Sequence, residues 1–455
     1  MTAPTTDRPA TDEPATRKAQ LADRDLVGED PGRRRRRRRH SSTRRSRRRE
    51  RRRARRTVVG RHPVATVALV VLAGLTPVWV SFASALGDPG LGSSLPARIA
   101  EWVREHGGAS IVVTAERIWY SHHQPPVGGR PAAGAIPAAP RATTATQAPR
   151  SPAGPGSSPA TPRGIVPLPA PANLVPFASP AIPGEGVWHA MGRPVDGHPA
   201  VFEAFLRPDA IHTSLVVGVA WMDTKLLAAR LYSGSSIPGG GPYPYTAPVL
   251  PKAAKTLVAA FNAGFLMGNA NGGYYTDHKI VLPLRTGAAS FVELRNGDAT
   301  VEAWPGPQAL TPDVVSVRQN LDLLVSGGKP VPNLNANDTT VWGATLGNQI
   351  YVWRSGLGVT RDGALVYVGG PGLNITSLAA LLVRAGAVRG MELDINTDWV
   401  NYSTYRPSSS TGLAAPSNGT PMLPAMSGGP ARYFASWWTR DFITMSARTG
   451  PNGGG

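Results

Sequence analysis

The sequence contains no cysteine among its 455 residues. A chain without cysteine forms no disulfide bonds, so core packing must hold its folded part together. If the chain is exported, this absence suits a bacterial surface better than a eukaryotic secretory route. A zinc site is also disfavoured, because the sequence offers neither thiolate ligands nor clustered histidines.

Acidic residues are scarce, with 29 Asp and Glu against 48 Lys and Arg, for a net charge of +19. Residues 33–61 hold eighteen Arg and one Glu and therefore carry +17 of that charge. The pI of 10.9 thus describes one tail rather than a basic folded surface, and a specific nucleic-acid-binding domain is not predicted. The arginine run could bind anionic lipid headgroups, bind nucleic acid non-specifically, or serve only as a topology signal; lipid contact needs the least extra assumption.

One apolar run stands out, because residues 64–86 contain 23 residues without a charged side chain. At about 1.5 Å per residue, a helix of this length crosses a hydrocarbon layer of about 30 Å. The run predicts a transmembrane helix, and the arginines place residues 1–63 in the cytoplasm and the rest outside. A cleaved signal is the alternative, since Ala83-Ser84-Ala85 fits a cleavage site, but a signal's apolar stretch is normally about 7 to 15 residues.

Composition divides the rest of the chain. Pro, Ala, Gly, Ser and Thr dominate the stretch after residue 124, which cannot bury enough apolar surface to offset its ordering entropy. We expect five parts: a disordered Arg-rich cytoplasmic tail (1–63), a transmembrane helix (64–86), a juxtamembrane element (87–124), a Pro/Ala-rich linker (125–185) and a folded domain (186–448).

The folded domain is expected to be β-rich, in the α+β class with a mixed sheet. Short β-branched and aromatic runs between Gly, Pro and Asn-Gly or Asp-Gly turns predict strands over 212–221, 256–262, 289–294, 349–354 and 365–368.

One helix is predicted over Ser377–Arg384, with Ser377 as N-cap and Gly386 at its end. It separates strand 365–368 from strand 388–396, as in a crossover unit. Such a unit places Asp394 and Asn396 at the carboxyl end of a strand, where clefts commonly open.

The residues around position 394 are the first candidate site. In an extended chain, Met391, Leu393 and Ile395 would face inward while Glu392, Asp394 and Asn396 would line the other face; Asp398 and Trp399 follow. Like charges on one strand face repel, so a cation, a substrate or a shared proton is expected to use them. A polar strand face turned to water is the simpler interpretation.

Four other segments contain an apolar strand that stops at polar residues. They supply further candidate ligand-binding residues: Asn262, Arg285, Arg318, Gln319, Asn320 and Arg354. Each segment alone is an ordinary strand end. Together they provide the amides and guanidinium groups needed to hold a phosphorylated sugar.

At this point the sequence resembles the phosphodiester glycosidase family, whose domain occurs in the N-acetylglucosamine-1-phosphodiester uncovering enzyme. The resemblance covers roughly residues 200–445 and lies in five ordered motifs: Asn262-Ala263-Gly264-Phe265, Arg318-Gln319-Asn320-Leu321, Arg354-Ser355-Gly356-Leu357-Gly358, Leu393-Asp394-Ile395-Asn396 and Thr439-Arg440-Asp441-Phe442. Ser355, and Asn396-Thr397-Asp398 in place of a glycine-rich motif, depart from better-known members. The chain looks like an actinobacterial, membrane-anchored subgroup.

The resemblance implies hydrolysis of a sugar 1-phosphodiester bond, and the residues fit that chemistry. Arg354, with Arg318 or Arg285, would clamp the phosphate. Asp394 would stabilise or attack the anomeric carbon while Glu392 or Asp398 activates water. The other expected substrate contacts are Asn262, Gln319, Asn320, Asn396 and Trp399.

No cofactor or metal is expected, although Ca²⁺ or Mg²⁺ held by the oxygen ligands near Asp394 is the main rival use of the same residues. The predicted function is a membrane-anchored extracytoplasmic hydrolase that acts on glycosyl phosphodiesters in cell-envelope glycans. The expected partners are therefore that glycan and the membrane. The alternatives are a non-catalytic glycan-binding module on a stalk and a glycosidase of non-phosphorylated bonds.

Overall fold

The structure is a computed structural model. It describes residues 63–88, 94–108, 110–112, 114–115, 118, 124–137, 165–332, 334–335, 338, 341–343, 350–409, 412–436 and 440–448. Residues 1–62 of the predicted cytoplasmic tail and residues 138–164 of the predicted linker lie outside the described residues, so those assignments stay predictions.

Helix α1 (Pro63–Gly87) coincides with the apolar run of the sequence. Its segment Thr66–Gly87 has 22 residues and a mean hydropathy of 2.0, and is long and apolar enough to cross a membrane. A signal sequence near an N-terminus has the same properties, so the helix alone does not establish an anchor.

The chain divides into two units, Met1–Trp79 and Val80–Gly455. All buried apolar residues that the structure describes lie in the second unit, which therefore encloses its own core. Near the start of that unit, helix α2 (Leu95–Val103) is followed by a π-helical turn, Arg104–Gly108. The Trp102 indole donates a hydrogen bond of 3.0 Å to Ser81 Oγ.

The described part of the second unit is mainly β, which confirms the expected β-rich fold. Two further helices are a short α3 (Pro251–Ala254) and α4 (Ile375–Arg384), and three 3₁₀ turns span Pro307–Ala309, Pro416–Asn418 and Gly429–Phe434. The strands are β1 (His189–Met191), β2 (Val201–Leu206), β3 (Val217–Met222), β4 (Leu227–Tyr232), β5 (Leu257–Asn262), β6 (Tyr274–Thr276), β7 (Lys279–Leu282), β8 (Ala289–Leu294), β9 (Ala299–Ala303), β10 (Val314–Gln319), β11 (Leu323–Ser326), β12 (Lys329–Pro330), β13 (Val352–Thr360), β14 (Leu365–Leu373), β15 (Ala387–Glu392), β16 (Tyr402–Tyr405), β17 (Gly419–Pro421) and β18 (Phe442–Ala447).

These strands form three sheets. Their orders are β1-β2-β3-β14-β13-β15-β11-β12, β7-β6-β10-β8-β9 and β17-β16-β5-β18-β4. The predicted crossover is present, since β14 and β15 run parallel and are joined through α4. Strand β13 lies between them and is antiparallel to both. The hydrogen-bonded neighbours in this part of the sheet are therefore antiparallel, where a mixed sheet was expected.

Helix α4 covers one face of the first sheet, and glycines bring it close. A Cβ on Gly356 would lie 3.2 Å from the Cδ1 atoms of both Leu378 and Leu382, and one on Gly390 would lie 3.1 Å from Leu382 Cδ1. The glycine after Arg354-Ser355 therefore makes room for a helix rather than for a ligand. The other face of this sheet packs through a large apolar cluster that includes Phe261 of the third sheet and Phe291 of the second.

The start of α4 differs from the sequence prediction. Asn374, not Ser377, is the N-cap: its Oδ1 accepts from Ser377 N at 2.7 Å, while Asn374 N donates to Ser377 Oγ at 3.0 Å. The two side chains form a reciprocal capping box, so the N-cap lies three residues earlier than expected.

Candidate active site

The acidic segment leaves the first sheet at the carboxyl end of β15. The predicted strand 388–396 ends at Glu392, although Leu393 N still donates to Ser355 O and Ser355 N to Asp394 O, both at 2.8 Å. Met391 and Leu393 lie in the core, as the alternation predicts. Glu392 and Asp394 are 0% and 4% exposed, so this polar face is buried rather than turned to water.

After the strand, the Asp394 carboxylate accepts hydrogen bonds from the next two amides. Its Oδ1 accepts from Ile395 N at 2.8 Å and from Asn396 N at 3.0 Å. Its Oδ2 lies 3.6 Å from Arg440 Nη1. Burial raises the pKa of Asp394 to about 6, although Arg440 and the two amides favour the ionised form. At pH 7 this buried carboxylate is therefore mostly charged.

Glu392 is paired with Arg354. Arg354 Nη1 lies 2.5 Å from Glu392 Oε1, and Arg354 Nε donates to Leu373 O at 3.1 Å. The guanidinium is 2% exposed, and Glu392 Oε2 has no hydrogen-bond partner among the described residues. Burial raises the pKa of Glu392 to about 7, against the attraction of Arg354 and with the help of the nearby Asp394 charge. The two neighbouring carboxyl groups thus titrate close to neutral pH.

Arg318 is held by a second buried ion pair. Its Nε donates to Asp441 Oδ2 at 2.6 Å, and its two terminal nitrogens donate to Gln319 O and Phe265 O. A Cβ at position 264 would lie 2.9 Å from the Arg318 Cζ, so Gly264 leaves room for the guanidinium. Arg318 is close enough to lower the pKa of Asp394, yet these donors bind protein groups.

Arg285 lies on a neighbouring turn. It donates to Leu321 O at 2.8 Å and to Asp322 Oδ1 at 2.6 Å. Leu321 has a positive φ of 56°, a conformation that side chains rarely adopt. The Arg285 contacts therefore support a strained turn rather than point toward Asp394.

The predicted amide ligands build the frame of the acidic segment. Asn262 Oδ1 accepts from Tyr367 Oη at 2.9 Å and from Asn401 N at 3.1 Å, and its Nδ2 donates to Ser355 Oγ at 3.0 Å. Asn320 Nδ2 donates to the main-chain oxygens of Glu392 and Leu393 at 3.0 and 3.1 Å.

Gln319 has a similar structural part in the second sheet. Its Oε1 accepts from Gly273 N at 2.8 Å and from Arg285 N at 2.7 Å, and its Nε2 donates to Arg285 O at 2.9 Å. With its amide used in this way, Gln319 fixes the turn that carries Arg285.

Asn396, Asp398 and Trp399 form the loop after Asp394. Asn396 Oδ1 accepts from Asp398 N at 2.9 Å, so the loop closes on itself. Ser427 Oγ lies 3.4 Å from Asp398 Oδ1. Trp399 is 7% exposed, and the guanidinium carbon of Arg440 lies 4.2 Å from its ring centroid.

Two arginines that the sequence analysis did not assign lie at this loop. Arg440 bridges Asp394 and Trp399, and Arg432 donates to Asp398 O at 2.5 Å. Burial lowers the pKa of Arg432 to about 10, while Tyr433, Asp398 and Asp394 oppose the shift. Arg440 stands in the Thr439-Arg440-Asp441-Phe442 motif, which was a usable signal; Arg432 stands in none.

Oxygen ligands for a metal are not assembled in the part of the chain that the structure describes: no group of three or more His, Asp or Glu side chains is placed to hold an ion there. Cofactor independence stays a prediction. Two cavities of about 510 Å³ lie elsewhere, and neither is lined by Asp394.

The site residues fall within, or next to, a recognised family segment. Residues 255–394 match the phosphodiester glycosidase family model, from just before β5 to Asp394 itself. The resemblance seen in the sequence is confirmed over those residues. Arg432 and Arg440 lie beyond the match.

Other comparisons are weaker. A search of curated proteins found no match. Among solved structures, the chain is similar to the catalytic domain of zebrafish N-acetylglucosamine-1-phosphodiester alpha-N-acetylglucosaminidase auto-inhibited by its pro-peptide, with 12% identity over 58% of this chain and 88% of that chain and a TM-score of 0.34. A hypothetical protein from Synechocystis is 14% identical over 56% of this chain and 63% of that chain, with a TM-score of 0.31. At these TM-scores the likeness carries no argument.

Proposed function

We propose that residues 186–448 form an extracytoplasmic hydrolase that cleaves a sugar 1-phosphodiester bond in cell-envelope glycans. The family match over 255–394 supports the reaction class. The observation that carries the proposal is the position of the buried Asp394 carboxylate 3.6 Å from Arg440, whose guanidinium stacks on Trp399. A carboxylate, a guanidinium and an indole are the groups that an anomeric centre, a phosphate and a sugar ring require.

Each group has a defined part in the proposed reaction. A departing phosphate diester is a weak base, so its departure needs electrostatic support more than a strong acid. Arg440 supplies that support, because it lies 3.6 Å from the Asp394 carboxylate and stacks on Trp399.

Asp394 stabilises positive charge on the anomeric carbon or attacks it. Asp398 is the candidate base that takes a proton from water, because it is partly exposed whereas Glu392, the other candidate, is fully buried and bound to Arg354. The Asp394 carboxylate lies 3.6 Å from Arg440 Nη1, so a phosphate bound by this guanidinium would lie beside that carboxylate.

The test is Asp394→Asn in the unit Val80–Gly455, assayed on a nitrophenyl-phosphate glycoside. An asparagine Oδ1 still accepts from the amides of Ile395 and Asn396, so the loop is kept while the charge is lost. We expect turnover to fall on the order of 100- to 1,000-fold. Asp313→Asn, an exposed aspartate outside the site, is the matched control.

Turnover that stays unchanged in Asp394→Asn would move the catalytic role elsewhere. A folded domain that binds phospho-glycan but hydrolyses neither substrate would instead identify the glycan-binding module.

The proposed location has its own test. We infer that α1 anchors the protein with residues 1–63 in the cytoplasm, supported by the length and hydropathy of Thr66–Gly87. The intact chain should leave membranes only with detergent, and protease added outside the cell should remove the domain. Release of a shortened, soluble chain would instead show signal cleavage.

A further inference from the structure

The turn between β13 and β14 forms one wall of a cavity far from Asp394. Ser355, beside Asp394, and Thr360 are five residues apart on β13, which corresponds to about 16 Å along a strand. The cavity has a volume of about 510 Å³. Its polar lining includes Lys225, Thr300, Arg361 and Arg389.

Positive charge in this cavity is not balanced. The side chains of Lys225 and Arg361 make no hydrogen bond or ion pair with any residue that the structure describes, and both residues are exposed. Arg389 is only partly engaged, since it donates to Val301 O at 2.6 Å and to Thr300 Oγ1 at 3.1 Å and lies near Glu302.

The two acidic residues of the lining offset only part of that charge. Asp298 lies 2.5 Å from Arg448 Nη2 and is therefore already paired. Asp362 Oδ1 accepts the Thr360 hydroxyl at 2.5 Å and keeps its negative charge, which balances one of the three cations of the lining. Two uncommitted cations in a concave site form a binding place for an oxyanion, because charge-assisted hydrogen bonds to phosphate oxygens are among the strongest that side chains make.

A second cavity, also of about 510 Å³, shares Thr360, Arg361 and Asp362 with the first. Its walls include Trp188 and Trp221. The Trp188 indole donates to Ala172 O at 2.9 Å, which fixes the orientation of its ring. Trp188 and Trp221 are 9% and 3% exposed and belong to the apolar core, so they form a rigid apolar floor to this cavity. A concave apolar floor beside a cationic cavity matches a ligand in which sugar rings alternate with phosphates.

We propose that the two cavities form a second binding site for a phosphodiester-linked glycan, separate from the site at Asp394. Lys225 and Arg361 bind a phosphate, and the tryptophan-lined cavity receives the adjacent sugar. The nature of the ligand rests on the proposed function, since the ligand is the polymer whose bond Asp394 would cleave. A polymer bound at this second site has a raised local concentration at the catalytic site. Long substrates should therefore be hydrolysed more efficiently than short ones.

The test compares Lys225→Glu/Arg361→Glu with Lys252→Glu/Arg406→Glu in the unit Val80–Gly455, which encloses its own core and lacks the arginine-rich tail. The control pair is exposed, lies outside both cavities and makes the same change in charge. The probe is a synthetic tetramer of N-acetylglucosamine 1-phosphate, with Asp394→Asn added to prevent turnover. We expect the Kd to rise at least tenfold in the site variant and less than twofold in the control.

Other probes distinguish a phosphorylated glycan from free phosphate and from a lipid headgroup as the ligand. An N-acetylglucosamine tetramer without phosphate and inorganic phosphate alone should each bind at least tenfold more weakly than the phosphorylated tetramer. If the site variant instead loses binding to vesicles of half phosphatidylglycerol while keeping the tetramer, a lipid surface replaces the glycan and the proposal fails. The glutamates could disturb folding, so the same binding measurement is made on Lys225→Gln/Arg361→Gln. Thermal unfolding of both variants checks that they are folded.

A kinetic measurement distinguishes this proposal from the proposed function. With Asp394 intact, the site variant should raise KM for the tetramer and leave turnover of the nitrophenyl-phosphate glycoside unchanged. Equal tetramer affinity in the site and control variants overturns the second site whether or not the protein is a hydrolase. If the site variant binds the tetramer more weakly but the unit without substitutions hydrolyses neither substrate, the second binding site is supported and the proposed hydrolase activity is contradicted.

Discussion

The buried Arg354 is the residue whose role differs most between the sequence and the structure. The sequence predicts a phosphate clamp, for which Arg354→Lys should abolish most activity, whereas the structure pairs the guanidinium with Glu392 at 2.5 Å. Arg354→Met, alone and with Glu392→Gln, separates the two roles. If the pair is structural, the single substitution should destabilise the domain and leave turnover per folded molecule nearly intact.

The loss of folding free energy expected for Arg354→Met can be estimated from a second buried carboxyl group in the same fold. Glu203 is 1% exposed and has no hydrogen-bond partner among the described residues, and burial raises its pKa to about 8. Without Arg354, the pKa of Glu392 should move from about 7 toward that value. One pKa unit corresponds to about 1.4 kcal/mol. That shift already contains the hydrogen bond between Arg354 and Glu392, and the lost hydrogen bond to Leu373 O adds about 1 kcal/mol, which gives about 2 kcal/mol at pH 8.5.

The pH dependence has a defined sign. The pKa of Glu392 in the folded state lies above its ordinary value of 4.5, so the stability contributed by its protonated form is complete below about pH 4.5 and is lost as pH rises to 7. The coupling between Arg354→Met and Glu392→Gln should therefore be about 1 kcal/mol at pH 8.5 and close to zero at pH 5.5.

Urea unfolding of the four variants at these two pH values measures the coupling. The nitrophenyl-phosphate assay on the folded fraction measures the chemistry. A fully stable Arg354→Met domain that has lost turnover would refute the structural role and restore the clamp.

Three further predictions concern separate residues. If ionised Asp394 is the active form, kcat/KM should rise with pH through about 6, its pKa in the folded state, and a flat profile between pH 4 and 7 would contradict this. Since the pKa of Glu203 is raised to about 8, its stabilising protonated form is lost between pH 4.5 and 8, and the stability of Glu203→Gln relative to wild type should grow by about 3 kcal/mol from pH 4.5 to 7 in urea titrations. Asn374→Ala should cost about 1 kcal/mol in the same experiment, because α4 loses its N-cap, while an equally stable variant would show that Ser377 suffices.

Local patterns in the sequence predicted much of the framework. The strands expected over 256–262 and 289–294 are found at Leu257–Asn262 and Ala289–Leu294, because turn residues and β-branched runs are local signals. The β14-α4-β15 crossover followed from a short amphipathic helix between two strands. The insertion of β13 between those strands could not be predicted, since it depends on pairings with Gly356 and Leu357 that no local pattern encodes.

The sequence by itself determined the apolar helix, the family resemblance and the crowding of Glu392, Asp394 and Asp398 after a strand, since each is a property of neighbouring residues. Only the tertiary structure decided which guanidinium meets which carboxylate. Arg318 pairs with Asp441 across 123 positions, and Arg354 with Glu392 across 38. Such partners are chosen by sheet order and burial, because a buried charge must take the opposite charge that packing brings within reach.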